Sequence, residues 1–147
     1  MKILLIRNQA IVLLMLFTLS ACSMIAIFSQ KAYEQATSLK VDALAIMDKA
    51  SEPFLKHQSE VEVLRLNIDK AYEYAKGRPK NDETTHQWEI IKNPSRNSLG
   101  GFLKRWEEDS ILSAQFINEA KGIVSNGFDA VIGLESGKSK STEGQKQ

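Results

Sequence analysis

QKAYEQATSLKVDALAIMDKASEPFLKHQSEVEVLRLNIDKAYEYAK, residues Gln30 to Lys76, is the stretch that decides the fold. Apolar or small residues recur in it every seven positions, at Tyr33, Met47, Phe54, Val61, Ile68 and Ala75. A second series lies three residues on, at Ala36, Ala43, Ala50, Leu64 and Ala71. Together they make a seam of the a/d type, the spacing that keeps one helix face against a partner. Leu39, Leu44 and Ile46 widen the stripe, and Lys40 and His57 interrupt it. Strand-like alternation is missing, so the stretch predicts helix. Pro53 lies inside it, where proline removes a backbone donor and clashes with the preceding turn. Either the helix kinks there, or it stops near Ala50 and restarts with Ser51 as N-cap. The seven-residue register runs through Pro53 unbroken, which favours a kinked continuous helix.

Gly77-Arg78-Pro79 ends the helix: glycine accepts a left-handed C-terminal turn and proline cannot propagate. Thr84 or Thr85 is placed to cap a short helix carrying Trp88, Ile90 and Ile91, which Asn93-Pro94 stops. The segment from Pro94 to Gly101 is a turn-rich connector. Phe102, Leu103 and Trp106 mark a second short amphipathic helix. Ser113 is the expected cap of a long last helix, with Phe116, Ile117, Ala120, Ile123, Val124, Phe128, Val131 and Ile132 on one broad face. From Gly137 to Gln147 no apolar residue appears, and a disordered tail is expected. These stripes predict an all-α fold: a small helical bundle over 30–136, with one long helix kinked at Pro53 and a long C-terminal helix. The two tryptophan-bearing helices are expected to close one end.

Upstream of the seam lies a different kind of sequence. Lys2 and Arg7 precede an apolar core from Ala10 to Leu19, and Leu19-Ser20-Ala21-Cys22 follows. Charge, apolar core and small residues are the anatomy of an export signal. Ending on the chain's only cysteine, the tetrapeptide resembles the lipobox of bacterial lipoproteins. The resemblance implies cleavage between Ala21 and Cys22, acylation of Cys22, and residues 22–29 lying beside the lipid. Two or three acyl chains anchor stably where one is marginal. Ser23 stands where the enterobacterial retention signal would place Asp, which implies an outer-membrane protein facing the periplasm. A rival reading exists. The apolar run continues through Phe28, so Ala10 to Phe28 gives 19 residues without a charge, enough for a single-pass signal anchor. Both readings put the body on the same side of the membrane.

Removing residues 1–21 leaves 126 residues, one domain with a modest core. It also removes Lys2 and Arg7, taking the formal charge from +1 to −1. A near-neutral body argues against a nucleic-acid partner, since phosphate binding needs a basic surface. With Cys22 acylated no thiol remains for a disulfide, a thiolate metal site or a nucleophile.

The candidate chemistry is sparse. His57 has Glu60 one turn on, but zinc needs three or four spaced ligands, so no metal is expected. Glu107, Glu108 and Asp109 are adjacent on a short helix and point in different directions. Acid–base hydrolysis needs two carboxylates facing across a cleft. Gly100-Gly101 precedes a helix, where anions bind, yet the phosphate-loop pattern is missing and the pair suits a close approach of helices. Lys76, Arg78, Lys80, Lys92, Arg96, Lys104 and Arg105 are interspersed with Asp82, Glu83 and Glu89, the pattern of a solvated surface. No catalytic residue and no cofactor are expected. A recognition site, if present, falls on Trp88, Arg96, Asn97, Gly100, Gly101 and Trp106, although tryptophans mostly anchor cores. The sequence thus predicts a non-catalytic lipoprotein that meets the membrane through its lipid and an envelope protein through its bundle. A binding module for a lipid or cell-wall fragment is the alternative.

Overall fold

A computed structural model describes residues 25–143, with side chains through Lys138. The chain forms α1 (Gln30–Met47), α2 (Gln58–Lys76), α3 (Asp82–Lys92), α4 (Leu99–Asp109) and α5 (Ala114–Glu143). No strand occurs among the described residues. The elements make an up-down-up-down bundle of four arms. α1 packs on α2 and α5, and α3 packs on α2 and α5. The third arm is broken, made of α3 and α4 end to end. α5, about 45 Å long at 1.5 Å per residue, spans both halves. The all-α bundle and the long last helix agree with the sequence reading.

The seam is buried nearly as read. Ala36, Ala43, Met47, Ala50, Phe54, Val61, Leu64, Ile68, Ala71 and Ala75 are all in the core, with Leu39 filling the position that Lys40 interrupts. The single kinked helix, however, is corrected. Helix α1 ends at Met47, two 3₁₀ turns (Asp48–Ser51 and Phe54–Lys56) follow, and α2 returns antiparallel from Gln58. Proline forces the preceding residue out of the helical region, and Glu52 is extended at φ −108°, ψ 162°. The reversal is latched to the α4–α5 connection. Leu112 N donates to Ala50 O at 2.8 Å, Phe54 N to Ser110 O at 2.8 Å, and Trp106 Nε1 to Glu52 O at 3.0 Å. Backbone groups that a continuous helix would have paired internally thus find partners. The register survives because both helices face one core, so it does not distinguish a kink from a turn back.

Other boundaries shift for local reasons. Gly77 closes α2 with ordinary helical angles, and the positive φ falls on Lys80 instead. Helix α3 starts at Asp82, ahead of Thr84, which lies buried within it. Ser113 caps α5 as expected, accepting from Phe116 N at 3.3 Å. The tail expected from Gly137 is corrected at its start: α5 continues to Glu143 and Lys138 is buried. The short helices do not close one end; they line one side as the third arm.

Gly100 and Gly101 make that broken arm compact. A Cβ on Gly100 would stand 2.3 Å from Lys92 O, and one on Gly101 2.0 Å from Arg96 O. Only backbone lies there, so the connector itself would have to move. Gly100→Ala and Gly101→Ala are each expected to cost about 1–3 kcal/mol, the range for overpacking a close-packed site. Urea unfolding checks this, with Gly122→Ala, which faces open space, as the tolerated control.

Candidate functional site

The six residues singled out from the sequence do not converge. Trp88 is buried and meets Phe128 edge-on, ring centres 5.8 Å apart. Trp106 is buried at the other end of the third arm, 5.4 Å from Phe54 and 5.8 Å from His57. Arg96 and Asn97 are exposed on the connector, whereas both indoles are buried. That connector is an Asx turn: Asn93 Oδ1 accepts from Ser95 N at 2.8 Å, and Asn93 O from Arg96 N at 3.2 Å. The atoms facing the glycine pair are carbonyl oxygens of Lys92, Pro94 and Arg96, which repel an anion rather than bind one. Cys22 and its flank Leu19, Ser20 and Ala21 lie outside the described residues.

A groove of about 440 Å³ runs between α2 and the third arm. Ile68, Ile91, Leu99 and Leu103 line it, with Gly100 at its edge. Two ion pairs bridge it, Arg65–Glu107 at 2.9 Å and Lys92–Asp69 at 2.6 Å. Being largely exposed, each contributes little to stability. The rest of the acidic cluster is also occupied by cations of its own helix: Glu108 by Lys104 at 3.7 Å and Asp109 by Arg105 at 3.2 Å.

His57 sits at the reversal. Its Nδ1 is 3.4 Å from Glu60 Oε1, and its buried Nε2 lies 3.4 Å from Glu52 Oε2 without hydrogen-bonding geometry. The Lys49 hydrogen bond, then that of His57, holds the Glu60 carboxyl below the ordinary carboxylate value. No group of three or more metal-ligating side chains occurs among the described residues.

The most unusual chemistry is one the sequence reading missed. Glu135 is 0% exposed, and Lys138, one turn on, is 4% exposed. Arg78 Nη1 donates to Glu135 Oε1 at 3.2 Å and to Oε2 at 3.1 Å. Lys138 Nζ donates to Glu135 Oε1 at 2.6 Å, to Thr84 Oγ1 at 2.9 Å, and to Asn81 Oδ1. Asn81 Nδ2 in turn donates to Ala75 O at 2.8 Å, satisfying a carbonyl at the end of α2. Arg78 Nη2 reaches back to Ile27 O in the segment that leads into α1. One carboxylate and two cations therefore join the chain entry, the α2–α3 loop, α3 and α5. A signal for it existed: the buried stripe Ile117, Ala120, Val124, Phe128, Val131 continues in register to Glu135 and Lys138.

Burial pushes the Lys138 amine below the ordinary 10.5, and the Glu135 hydrogen bond offsets part of that. The unfolded lysine keeps its proton to higher pH than the folded one. In the window between the two values the unfolded state binds more protons, so stability from this residue rises with pH. The unfolding free energy of the wild type is expected to gain on that of Lys138→Met as pH climbs toward 10.5, read by urea titration of both. Glu135→Leu removes the buried carboxylate that two cations share and is expected to cost about 3–5 kcal/mol. The double variant Glu135→Leu/Lys138→Met should recover much of that loss, and an equal loss in both would refute the ion-pair account.

No family model, no curated protein and no solved structure matches this chain, so its functional reading rests on its own residues and geometry.

Proposed function

We propose that this chain is an envelope lipoprotein, cleaved before Cys22 and acylated on it. It faces the periplasm from the outer membrane and serves non-catalytic contacts with another envelope protein. The observation that carries the reading is the path of Ile25–Ser29. The rival signal anchor needs the apolar run to continue as helix through Phe28. These residues carry no helix, and Ala26 is buried with its N donating to Lys80 O at 3.0 Å. What remains, Ala10 to Met24, is 15 residues, short of the roughly 20 that a bilayer core requires. No helix among the described residues is long and apolar enough to cross a membrane.

The partner role draws on the outer face of α1 and α2. A groove of about 480 Å³ there has Ala45, Ile46, Val63 and Leu64 as its apolar lining, with polar neighbours that include Asp42, Lys49 and Glu60. Val41, Val63 and Leu66 stand exposed on the same two helices, an apolar surface suited to another protein. The groove beside α4, with its apolar floor and bridging ion pairs, favours a second reading: a module for a small amphipathic envelope ligand.

Cys22→Ala is expected to abolish incorporation of labelled palmitate and to leave the longer, uncleaved form on a gel. Palmitate incorporation by the variant, or unchanged mobility, would overturn the lipoprotein reading.

A further inference from the structure

We infer that the chain-entry end of the bundle rests directly on the lipid bilayer, with Ile25 and Ile27 seated in its interface. This deepens the lipoprotein reading and rests on it. An anchored domain ordinarily has a tether, and here the structure removes it. The entry segment is fixed to the bundle by four contacts. Ala26 N is bonded to Lys80 O and Arg78 Nη2 to Ile27 O, Ser29 Oγ meets Tyr74 Oη at 2.9 Å, and the same Oγ accepts from Ala32 N at 3.2 Å as the cap of α1.

Only Ser23 and Met24 separate Ile25 from Cys22. Three residue steps of at most about 3.5 Å each put Ile25 within roughly 10 Å of the acylated residue. A bundle pinned at Ala26 therefore has no slack with which to stand away from the headgroups.

The segment presents the right surface for that position. In extended backbone, alternate side chains face opposite sides. Ala26, at 5% exposure, faces the bundle, while Ile25 and Ile27 face outward at 53% and 75%. Charge at this end is mixed: Lys31, Lys76 and Lys80 stand against Glu73, Asp82 and Glu83. The contact is thus apolar, not an attraction of cations to anionic lipid. It should be as strong on zwitterionic as on anionic vesicles, and insensitive to salt.

The test uses the full, acylated chain in phosphatidylcholine vesicles. In Ile27→Cys the new cysteine is the only free thiol, since that of Cys22 is occupied, and an environment-sensitive dye attached there replaces a mostly exposed side chain. A blue-shifted emission quenched by spin-labelled lipid is expected, and the same dye on Leu55→Cys at the far end should report water. In the unsubstituted protein, Lys31 and Lys76 should react with a water-soluble amine reagent more slowly than Lys56 and Lys104. A water-like signal at Ile27 with palmitate still incorporated overturns the bilayer contact and leaves the lipoprotein reading standing. Dry emission without lipid quenching means that a second copy covers the isoleucines, and also overturns it. Loss of palmitate incorporation by the unsubstituted chain removes the lipoprotein reading itself.

Discussion

Glu135 is the constraint on which the rest of this fold depends. A carboxylate with no solvent exposure must be compensated, and here the compensation comes from Arg78 and Lys138. Those two cations then draw in Asn81, Thr84 and the carbonyl of Ile27. The result sets the height of α5 against α3, closes the end of α2 and places the start of the chain. Hydrophobic burial along the seam is non-directional and tolerates sliding. The ionic cluster does not, because Arg78 and Lys138 must meet acceptors on α3, α5 and the α2–α3 loop at hydrogen-bond distance.

The opposite end of the bundle is organised on another principle. There the two chain reversals, near Pro53 and Ser110, hydrogen-bond to each other through Ala50, Phe54, Ser110 and Leu112. Trp106 packs beneath, with Phe54 on its edge and its indole N–H on Glu52 O. One end is held by buried charge and the other by backbone pairing over an aromatic layer. The long arms between them need only fill space, which small residues such as Ala36, Ala43 and Ala71 do at close range.

Much of this was legible from residue spacing. The seam positions from Ala36 to Ala75 are buried as read, and the boundaries at Asn93-Pro94 and Ser113 fall where local chemistry puts them. Pro53 was misread because a heptad register reports which residues face the core and not which way the chain runs. Gly137 was misread because composition outweighed periodicity: a glycine and a run of polar residues hid two charged side chains in stripe register. The recognition cluster was drawn from neighbours in sequence. In space Trp88 and Trp106 turn inward while Arg96 and Asn97 turn out, because the third arm breaks between them.

The placement of Ile25 and Lys138 has a mechanical consequence. Ile25 and Lys138 lie at the same end of the bundle, around one surface cavity, and α1 and α5 are adjacent arms. A pull between those two residues would peel α1 from α5 one layer at a time. A pull between Ile25 and the far end near Leu55 would instead run along the axis of α1. Helix α1 alone links those two points, so it would carry that load while the other arms only brace its side.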